Sequence, residues 1–168
     1  MVEMYCYVGD LLGFKNIMLN LDPDEQSVRV DELINLVDAG VKKFDLPKHQ
    51  LVSDTIFAGA DCNKQGLEQL VSFAKYMMEE GIAKSLPLRG AISIGEIIWN
   101  KYMPLGKAIV ESYNLANSQN WIGTSCRSDI PFFEDIWDFD KILVYPAPLK
   151  NGSLPILCCR TQELRQSS

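Results

Sequence analysis

The sequence predicts a single α+β domain built as a mixed sheet with helices packed on one face. Three observations carry that reading. The chain has 168 residues, 47% of them hydrophobic, which suits one sizeable core. Its apolar pattern switches between strand and helix periods in the order strand, helix, strand pair, helix, strand, helix, strands. No internal repeat, low-complexity segment or long linker interrupts that order, so residues 1–168 read as one domain, with 162–168 a flexible tail.

Met4 to Val8 is apolar and aromatic and reads as a buried strand ended by Gly9 and Asp10. From Leu11 onward, Phe14, Ile17, Met18 and Leu21 recur three and four apart, the spacing of a helix face. Asp22-Pro23-Asp24 breaks or restarts that helix, Pro23 being suited to a first turn, and Val30, Leu33, Ile34, Val37 and Val41 mark the next stripe. His49 to Ala58 reads as two short strands around a turn at Ser53-Asp54. A helix from about Leu67 to Ala83 turns Leu70, Val71, Ala74 and Met78 inward. Pro87 to Trp99 is strand-like, with Leu88, Gly90, Ile92 and Ile94 on one buried face. Gly106 opens a third helix to about Ser118. Trp121 to Ser125, Lys141 to Tyr145 and Leu154 to Cys159 are further strands, and Pro146 to Ser153 holds the last turn.

The formal charge of −6 argues against a broad nucleic-acid footprint, yet metal ions and a few local cations still permit a triphosphate ligand. No basic stretch precedes an apolar core at the N-terminus, and no apolar run approaches a membrane span, so a cytoplasmic, membrane-free protein is expected. The five cysteines are odd in number and match no zinc spacing, which favours reduced, partly buried thiols. The single histidine, His49, reads as an ordinary polar residue near a strand start.

Two aspartates stand out. Asp10 lies where the first strand passes into a helix, and Asp54 lies at the tip of the proposed hairpin. Each has a plain reading, a helix cap for Asp10 and a turn residue for Asp54. If the hairpin pairs beside the first strand, however, both carboxylates reach the same strand ends and repel unless a cation intervenes. Oxygen ligands favour magnesium or manganese. The backbone amides around Gly13 and Phe14 face that same corner and suit phosphate oxygens, Gly13 allowing close approach. Metal and amide donors on a triphosphate make a plausible phosphoryl-transfer site.

These residues also form a pattern. Val8-Gly9-Asp10-Leu11-Leu12-Gly13-Phe14 resembles the strand-to-helix motif of the class III adenylate and guanylate cyclases. Ser53-Asp54-Thr55-Ile56-Phe57-Ala58 is similar to their second-aspartate hairpin, Leu88 to Ile97 to the strand that follows, and Gly106-Lys107-Ala108-Ile109-Val110 to the start of their next helix. The resemblance runs in order from Met4 to Ser125. It implies the ferredoxin-like core of that family and a homodimer with sites at the interface. It also implies two divalent ions, Mn2+ or Mg2+, on Asp10, Asp54 and the Leu11 carbonyl, with the ribose 3′-oxygen attacking the α-phosphate. Leu12, Gly13 and Phe14 would line the phosphates, and Lys150, in a turn similar to the family's late hairpin, would reach the terminal ones; a solvated turn lysine is the plain alternative.

The departures carry information too. Gln50, four before Asp54, and Met103, three before Gly106, stand where the purine cyclases place their base-reading pair, and neither the adenine nor the guanine pair is present. The family's transition-state asparagine and arginine would fall on Val110 and Asn114, which match neither. Arg89 is the substitute candidate for stabilising developing phosphate charge, with a structural strand arginine as its plain reading. A short cyclase without the purine pair, with Ser53 before its second aspartate and Asn120-Trp121-Ile122-Gly123 after the third helix, resembles the bacterial pyrimidine cyclases of anti-phage defence. That likeness implies cyclic UMP, ahead of cyclic CMP, acting on a separate cyclic-nucleotide-responsive effector. Ile97, Ile98, Trp99 and Tyr102 would belong to the dimer interface or the core. A purine cyclase with unusual base contacts, a cyclase-fold domain that binds nucleotide without turnover, and a non-catalytic interaction module are the rival readings.

Overall fold

The computed structural model describes residues 1–127, 130–132, 135 and 142–159. The proposed tail at 162–168 and the proposed strand start at Lys141 lie outside the described residues. Strand β1 spans Val2–Leu11 and is followed by helices α1, Phe14–Asn20, and α2, Pro23–Lys43. The hairpin β2, Lys48–Val52, and β3, Thr55–Asp61, leads into α3, Lys64–Ala83. Then come β4, Leu88–Trp99, β5, Pro104–Gly106, α4, Lys107–Ser118, β6, Gly123–Cys126, and the hairpin of β7, Ile142–Leu149, with β8, Gly152–Cys159.

The strands join in one sheet in the order β2-β3-β1-β4-β6-β8-β7, with β5 paired to β4 off that path. Strand β1 is antiparallel to both β3 and β4, and β4 is parallel to β6, so the sheet is mixed. The run from β1 to β4, with order β2-β3-β1-β4, is the expected ferredoxin-like βαββαβ unit.

Local sequence explains each boundary. Asp22 accepts from the amides of Asp24 and Glu25 while Glu25 bonds back to Asp22, so a capping box starts α2 with Pro23 in its first turn. Asn63 caps α3 by accepting from the Gly66 amide. Leu33, Leu36, Val37 and Val41 form the buried stripe of α2, whereas Ile34, expected inside, is exposed on its flank. On α3 the expected inward residues Leu70, Val71, Ala74 and Met78 are all buried, joined by Leu67, Phe73 and Met77. Fully burying such side chains contributes about 1.5–3 kcal/mol each.

Alternation along β1 gives the sheet two buried faces. Tyr5, Tyr7 and Leu11 meet α2 and α3, while Met4, Cys6 and Val8 meet Ala108 of α4. Helices α2 and α3 therefore share one face as expected, but α4 covers the other. Its small residues explain why: Ser112 Oγ donates to the Cys6 carbonyl, and Ser93 Oγ donates to the Ala108 carbonyl, an approach that larger side chains would prevent. Cys6 and Cys126 are buried and Cys62 is half-buried, in keeping with the partly buried cysteines expected. Burial pushes the Cys6 thiol far above its ordinary range, which makes it inert.

Candidate active site

The two aspartates meet at one end of the sheet. Strand β1 continues to Leu11, three residues beyond its expected last residue Val8, because both its neighbours go on pairing with it through Gly9 and Asp10. Asp10 is thus a strand residue, opposite Thr55 on β3 and Arg89 on β4. It caps no helix. Gly13 is the N-cap of α1, with no side-chain cap, which removes the plain reading of Asp10. Asp54 occupies the β2–β3 turn as expected, and its carbonyl accepts from the Leu11 amide at 3.1 Å. The Leu12 amide donates to the Pro87 carbonyl at 2.8 Å, so the strand end is tied on both sides. Ser53 holds a left-handed φ of 57°, a costly conformation for a non-glycine residue immediately before Asp54.

A glycine pair underlies this end. Gly9 and Gly90 sit opposite each other, and the Tyr7 ring lies across both, so a Cβ at either would fall within 2.2 or 2.6 Å of Tyr7 atoms. The ring is set edge-on to Phe73 of α3. Tyr7 thus fills the α3 face, and alternation sends Asp10 and Arg89 to the α4 face.

On that face Arg89 is nearly enclosed, its side chain 12% exposed against 25% for Asp10. Its Nη2 donates to Asp10 Oδ2 and to Asn117 Oδ1, each at 3.1 Å, and its Nη1 donates to the Gln119 carbonyl at 3.1 Å. The last two acceptors close the C-terminal turn of α4, where a cation is favoured by unsatisfied carbonyls and the helix dipole. Neither Asn117 nor Gln119 is among the residues that stand out from the sequence. A signal existed, because Ala108, Ser112 and Ala116 make a buried stripe whose next position is 119.

Gln119 is 0% exposed. Its amide donates to the carbonyls of Gly90 and Leu115, and its Oε1 accepts from Trp121 Nε1 and Ser125 Oγ. Gln119→Leu would orphan several of these groups, and an unmatched buried group costs about 1–3 kcal/mol. The expected result is a Tm lowered by roughly 5–10 °C, read by thermal unfolding.

The other sequence-derived residues fall into place as follows. Helix α1 begins at Phe14, and its first bonds run from the Asn16 and Ile17 amides to the Gly13 carbonyl, leaving the Phe14 and Lys15 amides outside the ladder. Gly13 has φ of 85°, a left-handed value that favours glycine. Lys150 is exposed in the β7–β8 turn, and its amide donates to the Ser118 carbonyl at 2.8 Å, which docks that turn beside the residues holding Arg89. Gln50 and Met103 form a second cluster. The Tyr102-Met103 turn between β4 and β5 is held by Asn100 Oδ1, and the Gln50 amide donates to the Tyr102 carbonyl. Gln50 Oε1 is buried with no partner among the described residues. Val110 and Asn114 are exposed on α4.

The donor set suits a hard divalent cation. Arg89 takes one oxygen of Asp10, and among the described residues nothing holds Oδ1 of Asp10 or the carboxylate of Asp54. No group of three or more His, Cys, Asp or Glu capable of holding a metal occurs among the described residues. Asp10, Asp54 and the Leu11 carbonyl would supply only part of a shell, of the kind that magnesium completes with water and phosphate oxygens.

No protein-family model matches the chain, and no curated protein matches it in sequence. Solved structures do match in shape. The monomeric guanylyl cyclase domain of the RhoGC fusion protein from the aquatic fungus Blastocladiella emersonii has a TM-score of 0.72 at 13% identity, over 95% of this chain and 96% of that one. The guanylate cyclase domain of RhGC from Catenaria anguillulae, in complex with GTP, has a TM-score of 0.67 at 10% identity, over 95% and 96%. The adenylyl cyclase CyaB from P. aeruginosa has a TM-score of 0.64 at 13% identity, over 94% and 93%. Sheet order, helix placement and these likenesses together show that the chain has the fold of the class III adenylyl and guanylyl cyclase domains.

Proposed function

We propose that the chain is a nucleotidyl cyclase that converts a pyrimidine nucleoside triphosphate, UTP ahead of CTP, into its 3′,5′-cyclic nucleotide with release of pyrophosphate. The observation that carries this reading is the meeting of Asp10 and Asp54 at paired strand ends, with Arg89 beside them. Asp10, Asp54 and the Leu11 carbonyl would hold two divalent ions, Mn2+ or Mg2+, which supply neutralisation of the triphosphate and activation of the 3′-oxygen. Arg89 adds a fixed positive charge at the same corner, where preorganised charge is worth more than in water. The Phe14 and Lys15 amides offer donors to phosphate oxygens, and Lys150 offers a mobile cation.

The base would sit at Gln50 and Met103. Gln50 Oε1, buried without a partner, is an acceptor for a base N–H, such as N3–H of uracil or the amino group of cytosine. A pocket lacking the purine pair rejects purines because their polar edges would go unmatched. Ile98, Tyr102, Met103 and Leu105 around the β4–β5 turn, and Val110 and Tyr113 on α4, are exposed apolar residues that a second copy would cover in a homodimer. Ile97 belongs instead to the core, and Trp99 packs against the α4-side cluster over Gly59. The product would serve as a second messenger to a separate effector in antiviral defence, in the cytoplasm. No described helix is long and apolar enough to cross a membrane.

A second reading, nucleotide binding without turnover, is favoured by Val110 and Asn114, which stand where the cyclase resemblance expects the transition-state asparagine and arginine. One experiment separates them. The protein is incubated with ATP, GTP, CTP and UTP separately, each with Mn2+, and the products are resolved by chromatography. A cyclic pyrimidine is expected. A cyclic purine would keep the enzyme and discard the reading of Gln50 and Met103, and bound but unchanged nucleotide would favour the second reading.

A further inference from the structure

Arg89 meets Asp10 through a single bond, Nη2 to Oδ2 at 3.1 Å. Arginine and carboxylate frequently close with two parallel bonds, because the guanidinium fork matches the carboxylate. Two other acceptors account for the difference here. Asn117 Oδ1 shares Nη2, and the Gln119 carbonyl takes Nη1, so both terminal nitrogens are held, while Nε is buried with no partner among the described residues. The turn that carries both acceptors is itself fixed. Gln119 is anchored through its buried amide to β4 and β6, and the β7–β8 turn clasps the same segment through the bond from the Lys150 amide to the Ser118 carbonyl.

We propose that Asn117 and Gln119 are positioning residues that restrict Arg89 to one oxygen of Asp10 and keep Oδ1 available to a divalent cation. The inference rests on the metal-site reading of Asp10 given above, and not on turnover or on the base. Without the Asn117 side chain the guanidinium rotates onto both carboxylate oxygens and competes with the cation. Arg89 thus helps the site only while α4 restrains it.

The test titrates Mn2+ alone into 15N-labelled protein and follows paramagnetic broadening of the Leu12 and Ser53 amide signals. Asn117→Leu is expected to require ~10-fold more Mn2+ for equal broadening, the scale typical of losing a residue that orients a metal ligand. Asn117 is half-buried, and the variant's metal-free Tm should stay within a few degrees of wild type, since leucine suits a helical turn and the guanidinium keeps its bonds to Asp10 and the Gln119 carbonyl. Asn117→Asp, which keeps the acceptor, should retain wild-type affinity. In an Arg89→Gln background, Asn117→Leu should cause no further loss, because its effect passes through Arg89. If Asn117→Leu fails to fold, Asn117→Ala takes its place in the same comparison.

Wild-type Mn2+ affinity in Asn117→Leu overturns the inference, as does the same loss in the Arg89→Gln background or an absence of Mn2+ broadening in the wild type. The cyclase reading fails separately. A wild type that makes no cyclic nucleotide but shows this Mn2+ dependence supports the inference and removes the cyclase proposal. A productive wild type whose Asn117→Leu variant binds Mn2+ normally does the reverse.

Discussion

Asp54→Ala is expected to lower cyclic-nucleotide formation at least ~1,000-fold while leaving the fold intact, the scale seen when a residue central to charge stabilisation is removed. The asymmetry follows from what the side chain touches. Its backbone carbonyl receives the Leu11 amide and survives the substitution, whereas among the described residues its carboxylate holds nothing. Removing a half-buried side chain without partners usually changes stability by less than about 0.5 kcal/mol. Thermal unfolding and a product assay on the same sample check both halves. A large fall in Tm would mean that Asp54 is structural, and unchanged turnover would take it out of the site.

Arg89→Met should damage both properties. The guanidinium serves three acceptors in a setting where it is 12% exposed, and its loss leaves Asp10 without its cation and the end of α4 without its donor. Breaking a mostly buried pair from one side costs about 3 kcal/mol, which corresponds to a Tm lowered by roughly 6–12 °C. Turnover should fall ~100-fold or more if Arg89 also stabilises phosphate charge. Arg89→Lys keeps the charge but not the fork, so it should recover part of the activity and little of the three-way anchoring. Equal activity in the methionine variant would return Arg89 to a purely structural role.

Both predictions turn on features of unequal legibility in the sequence. The hairpin tip at Asp54, the α3 stripe and the helix opened by Gly106 were readable because turn chemistry and helical period are local signals. The end of β1 was not. Gly9 and Asp10 look like strand breakers, yet β3 and β4 continue to pair with them, and tertiary pairing overrides local preference. For the same reason Asp10 was readable as a helix cap, until the strand ran past it. The placement of α4 opposite α2 and α3 depends on Cys6 and Ser93 meeting Ser112 and Ala108 across the sheet, contacts between residues far apart in the chain. Arg89 was singled out, but its partners were missed for a similar reason. Asn117 and Gln119 gain their meaning only when the end of α4 lands on Asp10's neighbour. Gln50 and Met103 were paired from the resemblance, and the structure does bring the Gln50 amide to the turn that holds Met103.

The most direct test follows pyrophosphate and cyclic nucleotide together, in one reaction of the wild-type protein with UTP and Mn2+. Cyclisation at the Asp10–Asp54 site predicts that the two products appear in equal amounts and that both disappear in Asp54→Ala. Pyrophosphate or phosphate released without a cyclic product, or equal products from the Asp54→Ala variant, would contradict it.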